Sequence, residues 1–191
     1  MDLLIKKLSL LCGLLFSCAC IQAATPIVCD QRYALCTSAR CVPSPENPDV
    51  ALCECVTEQG PSVGFTSCEK RKPAYTQYKT LSLVSTFSFA QFATKKSMNC
   101  PKGTPWANCV DMPCTVDPQN DKRAFCLCTL NATQPFFTFG GSCNTDSCAT
   151  GFWSGATGED SELLRNALAQ STHSNVHPLS CNTPSSDEDT K

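Results

Sequence analysis

The run from Tyr33 to Thr57 recurs, without a gap, from Trp106 to Leu130. Cys36, Cys41, Cys53 and Cys55 fall on Cys109, Cys114, Cys126 and Cys128. Ala34, Pro45, Asn47 and Ala51 also meet identical residues, and Tyr33 meets another aromatic, Trp106. Alanine and proline shared between the cysteines are not a by-product of composition, so the chain carries a duplicated module. Any fold has to accommodate that module twice.

The first residues set the compartment. Lys6 and Lys7 precede an apolar run from Leu8 to Ile21, and small residues follow at Ala23 and Ala24. A basic start, a short apolar centre and a small-residue exit describe a secretory signal peptide over 1–23. The run is shorter than the roughly 20 residues of a membrane-spanning helix. Removal through Ala23 takes three of the seventeen cysteines and leaves fourteen, an even number suited to complete pairing. The alternative is a bacterial lipoprotein, with a lipid anchor at Cys18 or Cys20. Leu15-Phe16-Ser17-Cys18 resembles a lipobox, but Phe16 departs from it, and lipidation at Cys18 strands Cys20 as an odd thiol. The destination is secreted, extracellular or bacterial periplasmic, and disulfides are expected there. The whole chain has a net charge of −2, and loss of Asp2, Lys6 and Lys7 leaves −3. No basic patch suits nucleic acid, and no second apolar run could span a bilayer.

The first module, 24–68, holds Cys29, Cys36, Cys41, Cys53, Cys55 and Cys68. The second, 100–148, holds Cys100, Cys109, Cys114, Cys126, Cys128 and Cys143. Cys148 and Cys181 remain, and the simplest seventh bridge joins them. In Arg123–Leu130, Phe125 and Leu127 face one way and Cys126 and Cys128 the other, as in a strand. Two such cysteines do not close on each other comfortably, so each is expected to bridge to a different element. Pro45–Asp49 and Asp117–Asp121 are turn formers placed just before these strands.

Six cysteines with this spacing, together with Gly64-Phe65 before Cys68 and Phe139-Gly140 before Cys143, resemble an epidermal growth factor-like module. The resemblance covers about 40 residues per copy. It implies pairing of first with third, second with fourth and fifth with sixth cysteine. That gives Cys29–Cys41, Cys36–Cys53 and Cys55–Cys68, then Cys100–Cys114, Cys109–Cys126 and Cys128–Cys143. The last loop is longer than the family's. The acidic-polar run of the calcium-binding version is missing from Thr25–Val28 and from Lys96–Asn99.

Between the modules, in the connecting segment 69–99, the stretch 80–92 alternates Leu81, Leu83, Phe87 and Phe89 with Ser82, Thr86 and Ser88. This predicts a strand with one buried face. In the extension 149–182, Gly151–Gly158 reads as an irregular loop. Thr157 reads as a helix cap with Asp160 as its box partner. Leu163, Leu164, Ala167 and Leu168 give an apolar face to a helix near 160–170. The tail 183–191 is polar and expected to be disordered.

Chemistry is hard to find. Zinc-type C-x2-C pairs do not occur in the mature chain, and compartment favours bridges over metal. His173 and His177 are weak metal candidates at helical spacing, but Pro178 and the surrounding serines favour a loop. There is no G-x-S-x-G nucleophile motif. Glu54, Asp111, Asp117 and Glu159 are carboxylates that could pair only if the fold brings them together. Asn131-Ala-Thr133 matches a glycosylation acceptor, meaningful in a eukaryotic source.

The expected architecture is small, disulfide-rich and mainly β: two related cysteine-stapled modules with a connecting strand and one C-terminal helix. By elimination the function is binding of a protein or carbohydrate ligand, without cofactor. The loops Val42–Leu52 and Thr115–Phe125 are the first places to look. A secreted hydrolase inhibitor is the alternative, and a secreted enzyme a more distant one.

Overall fold

The computed structural model describes residues 24–90, 95–139, 148, 152–174 and 179–181. The expected signal segment with Cys18 and Cys20, the tail, Cys143 and His177 lie outside them. The described chain is mainly β with one helix, as the turn formers, the alternating stretches and the Leu163–Leu168 pattern lead one to expect.

The turn formers make hairpins. β1 (Ile27–Pro43) and β2 (Val50–Gly64) flank Ser44–Asp49, with Cys41 opposite Cys53. In the second module β6 (Trp106–Asn108) and β7 (Pro113–Asp117) together correspond to β1, and β8 (Asn120–Asn131) corresponds to β2. The register repeats residue for residue. Val42 opposite Leu52 becomes Thr115 opposite Phe125, and Ala34 opposite Thr57 becomes Ala107 opposite Leu130.

β2 and β8 then pair antiparallel with Cys53 against Cys126, Ala51 against Cys128 and Cys55 against Ala124. Exchanging the two modules maps this ladder onto itself, so a pseudo-twofold axis passes through the Cys53–Cys126 pair.

Two further strands close the sheet. β4 (Leu81–Thr86) runs parallel to β1 at Ala34–Leu35 and antiparallel to β7 at Cys114. β10 (Phe152–Gly155) runs parallel to β6 at Ala107–Asn108 and antiparallel to β1 at Cys41. These are the same two contacts with the modules exchanged. Ser85 and Ser154 occupy equivalent places. Ser85 Oγ donates to Cys109 O and accepts from Met112 N at 3.1 Å. Ser154 Oγ donates to Cys36 O at 2.8 Å and accepts from Ala39 N at 2.6 Å. Each serine satisfies the backbone where its partner strand breaks regular pairing. The reading of Gly151–Gly158 as an irregular loop is therefore corrected for Phe152–Gly155. Its small residues hid a strand whose identity comes from neighbours far along the chain. The expectation of one buried face on β4 is corrected too. Thr86 and Ser88, on the face opposite Leu83, Ser85 and Phe87, are buried as well.

The circuits β1–β2–β8–β7–β4 and β1–β2–β8–β6–β10 each close through five strands. Eight-stranded barrels are just wide enough for ordinary side chains, so this interior is narrow. It is filled by the disulfides Cys36–Cys55, Cys41–Cys53, Cys109–Cys128 and Cys114–Cys126, with Ala34, Ala51, Ala107 and Ala124 between them. The alanines shared by the two modules are the positions where nothing larger fits. Ala51→Leu or Ala124→Leu is expected to cost about 1–3 kcal/mol by overpacking, measured by guanidinium unfolding without reductant. The outward Leu52→Ala should stay within about 0.5 kcal/mol. Leucine accepted at both alanines would contradict the packing.

The pairing corrects the one the growth factor-like resemblance implies. Within module one it is nested: first to sixth (Cys29–Cys68), second to fifth and third to fourth. The antiparallel hairpin sets Cys41 opposite Cys53 and brings Cys36 to Cys55 across the bulge, while Cys29, opposite Ser62, takes Cys68 from the turn beyond β2. Cys148 pairs with Cys100 and leaves no bridge to Cys181, which is disulfide-bonded elsewhere.

Outside the ring two further clusters form. Tyr33, Leu35, Val63, Phe87, Phe89 and Phe139 pack with Leu164 and Leu168 of the helix α1 (Gly158–Thr172). Thr157 caps that helix, accepting from Asp160 N at 3.1 Å. Leu163, expected on the buried face, is 39% exposed because the contact centres on Leu164 and Leu168. Trp106, the counterpart of Tyr33, stacks on Phe136 at 5.4 Å, near β5 (Lys96–Cys100) and β9 (Phe136–Phe139).

Candidate functional site

The tips of the two loops singled out from the sequence lie apart. β2 and β8 are antiparallel, so the hairpin tip at Ser44–Asp49 lies beside the far end of β8. The other tip, at Asp117–Asn120, lies beside the middle of β2. There Arg32 Nη2 and Thr57 Oγ1 donate to Asp121 O at 2.7 and 2.6 Å. One partner cannot lie across both tips without spanning the whole ladder.

The candidate carboxylates also separate. Glu54 and Asp117 do converge, but on Arg123, at 3.4 and 2.5 Å. Hydrogen bonds from Gln119 N and Arg123 hold the Asp117 carboxyl below its ordinary range. Asp111 accepts from Phe65 N and Thr66 N at 2.6 and 2.9 Å. Glu159 is in the first turn of α1. No set of two free acids faces one space among these four.

The sulfurs Cys36, Cys114 and Cys126 lie within 4.8 Å of one another, as do Cys41, Cys53 and Cys109. All six are already bonded in disulfides and offer no thiolate to a metal. His173 is the C-cap of α1, in the left-handed region at φ 52, so the helical face that would carry it to His177 ends there. Asn131 Oδ1 accepts from Thr133 N at 2.9 Å in an exposed turn after β8.

A cavity of about 250 Å³ lies between α1 and the ring. Tyr33 and Phe89 of the helix-side core contribute to its lining, and Leu168 and Ala169 line it from the helix. Gln59-Gly60-Pro61 of β2 forms another wall. Gly60 has φ 133, a region that side chains other than glycine's rarely adopt, and a Cβ there would meet nothing within 4 Å. The strand thus turns past the cavity without placing a side chain across it.

Arg165, Leu168, Ala169 and Thr172 lie at i, i+3, i+4 and i+7, so one stripe of α1 presents a charge, two apolar groups and a hydroxyl to the same space. Thr172 Oγ1 donates to Leu168 O at 2.8 Å. Among the described residues Arg165 forms no ion pair or hydrogen bond. A small cavity of mixed apolar and polar lining, with a cation unengaged among the described residues, is a ready place for an anion-bearing ligand. The carbonyl end of α1 opposes an anion by about 0.3–1 kcal/mol within its last turn, whereas a charge-assisted hydrogen bond contributes about 1.5–3 kcal/mol. Arg165, a full turn further back, decides the sign.

A second, more open depression of about 530 Å³ is lined by Arg40, Val56, Arg123 and Trp153. Its two arginines are already engaged, whereas the Lys122 side chain forms no ion pair among the described residues. Arg40 lies 5.2 Å over the Trp153 ring, and Arg123 binds Asp117 and Glu54.

The helix cavity escaped sequence reasoning because the sequence pattern ends the helix near 170 and leaves Ser171 and Thr172 in a loop, whereas α1 runs to Thr172. The available signal was the spacing of Arg165 and Thr172 from Leu168. Comparison with protein-family models, curated proteins and solved structures finds no match to this chain. Its bridges belong to an oxidising compartment. No helix among the described residues is long and apolar enough to cross a membrane.

Proposed function

We propose that this is a disulfide-stabilised binding protein of the secreted or periplasmic space, whose ligand is a small amphipathic acid held in the cavity under α1. Arg165, unengaged among the described residues and set in a cavity lined by Phe89, Pro61 and Leu168 as well as by Gln59, Ser88 and Thr172, carries this reading. The apolar body rests on Leu168, Phe89 and Pro61, and the carboxylate meets Arg165 at the rim. The volume, somewhat below the roughly 300–1,000 Å³ of drug-sized sites, suits a short-chain or single-ring acid.

Calorimetric titration with octanoate and 3-phenylpropionate, each against its neutral alcohol, tests this. The acids should bind about tenfold more tightly than the alcohols, the worth of one charge-assisted hydrogen bond. Arg165→Gln should abolish that preference while the alcohols bind as before. Ala169→Phe, which fills the space, should weaken all four. Absence of binding by any of them, or an acid preference that survives Arg165→Gln, would overturn the assignment.

A further inference from the structure

The bridges differ in what surrounds them. The four inside the ring are sealed, and Cys100–Cys148 joins two residues with 1% and 2% exposure. Cys29–Cys68 is different. Cys29 is buried on β1, while Cys68 stands half-buried in the turn that follows β2. Arg71, in that same turn, is 1% exposed, and its guanidinium lies against Cys29 Sγ. Arg71 Nη2 also donates to Ile27 O at 2.6 Å, whereas Nε and Nη1 are buried without a hydrogen-bond partner among the described residues. The side chain is held there by its own turn: Arg71 N bonds Ser67 O and Cys68 O, and Gln31 Nε2 donates to Arg71 O at 2.6 Å.

A buried cation with unfilled donors is costly unless an anion joins it. Asp111 is the opposing charge that acts on Arg71, but one of its oxygens is taken by Phe65 N and Thr66 N. Burial pushes the guanidinium below its ordinary range, with Asp111 as the counterweight. An anion formed at Cys29 would meet this need. Positive charge beside a cysteine stabilises its thiolate and makes it the better leaving group.

We propose that Cys29–Cys68 is a reactive bridge that opens by exchange with an external thiol, Cys29 leaving as a thiolate on Arg71. The incoming thiolate attacks the more accessible Cys68 Sγ, the Cys29–Cys68 bond breaks, and Cys29 keeps the electron pair. A second thiolate then attacks the mixed disulfide and releases Cys68, which takes up a proton. Two external thiols become one disulfide, and one protein bridge becomes two thiols. The counterpart in module two, Cys100–Cys148, buries both cysteines and stays closed under the same conditions.

The oxidised full-length chain, exposed to graded glutathione and quenched by alkylation, tests this by peptide mapping. Cys29 and Cys68 should be released about tenfold faster than Cys100 and Cys148, with the glutathione adduct on Cys68. Opening of Cys100–Cys148 or a ring bridge first, or an adduct on Cys29, would overturn the proposal. Independently, Cys68→Ser leaves Cys29 as a thiol whose thiolate absorbance can be titrated. A midpoint below about 7 supports the role of Arg71, and one at or above about 8.5, the free-cysteine value, refutes it. Adding Arg71→Met should raise that midpoint by at least about one unit. Should that variant not fold, the wild-type order of opening still decides.

Discussion

Replacing both halves of Cys36–Cys55 by alanine is expected to remove about 4 kcal/mol of stability, and the same change at Cys109–Cys128 should remove the same amount within about 1 kcal/mol. Each bridge spans 19 residues, for which loop closure in the unfolded chain accounts for about 3 kcal/mol. The remainder is volume, since the sulfurs fill the interior of the ring and alanine leaves a void there. The two should match because the pseudo-twofold axis exchanges them. Guanidinium unfolding of the two double variants measures both numbers. A loss below about 1 kcal/mol in either would mean that the ring does not depend on its sulfurs.

The double variants matter because single ones should rearrange. Cys36 Sγ lies 3.4 Å from Cys126 Sγ of the neighbouring bridge. With Cys55 replaced alone, the Cys36 thiolate is placed to attack Cys126 and expel Cys114. Mass mapping of that variant should find Cys36–Cys126 alongside the native pairs.

The legible part of the fold lay in residues whose partners are close in sequence. The turn formers Pro45–Asp49 mark a hairpin that the structure contains, and the cysteines at alternate positions do face one side of β8. Thr157 does cap a helix. The shared Ala34 and Ala51 pointed to a repeat before their reason was visible. What stayed hidden depends on distant neighbours. Spacing tells which cysteines share a strand but not which strand lies alongside. The nested pairing was nonetheless within reach, because a turn between Cys41 and Cys53 sets those two opposite each other. β10 could not be read, since Phe152–Gly155 owes its strand geometry to β1 and β6. The candidate cavity was least legible of all, because it needs α1, β2 and Ser88–Ala90 together.

Asp111→Ala is expected to cost about 3 kcal/mol, far more than an ordinary half-buried acid, because Asp111 ties the second module to the exit of the first. It sits at φ 59, where aspartate is tolerated better than most residues, at the place that Ser38 occupies in module one. From there its Oδ2 accepts both Phe65 N and Thr66 N, the first two amides after β2. Gly64 is what lets it approach, since a Cβ there would come within 2.3 Å of Asp111 Oδ1. Removing the carboxylate leaves two amides without their acceptor and buried Arg71 without its opposing charge. Asp111→Asn keeps an acceptor oxygen and should cost about 1 kcal/mol, which separates the hydrogen bonds from the charge. Gly64→Ala should be nearly as damaging as Asp111→Ala in the native background and close to neutral once Asp111 is alanine. That coupling is the signature of one contact removed from either side, and unfolding of the four-member cycle measures it. If the two costs add instead, Gly64 and Asp111 act independently, and the clamp between the modules is not where the geometry places it.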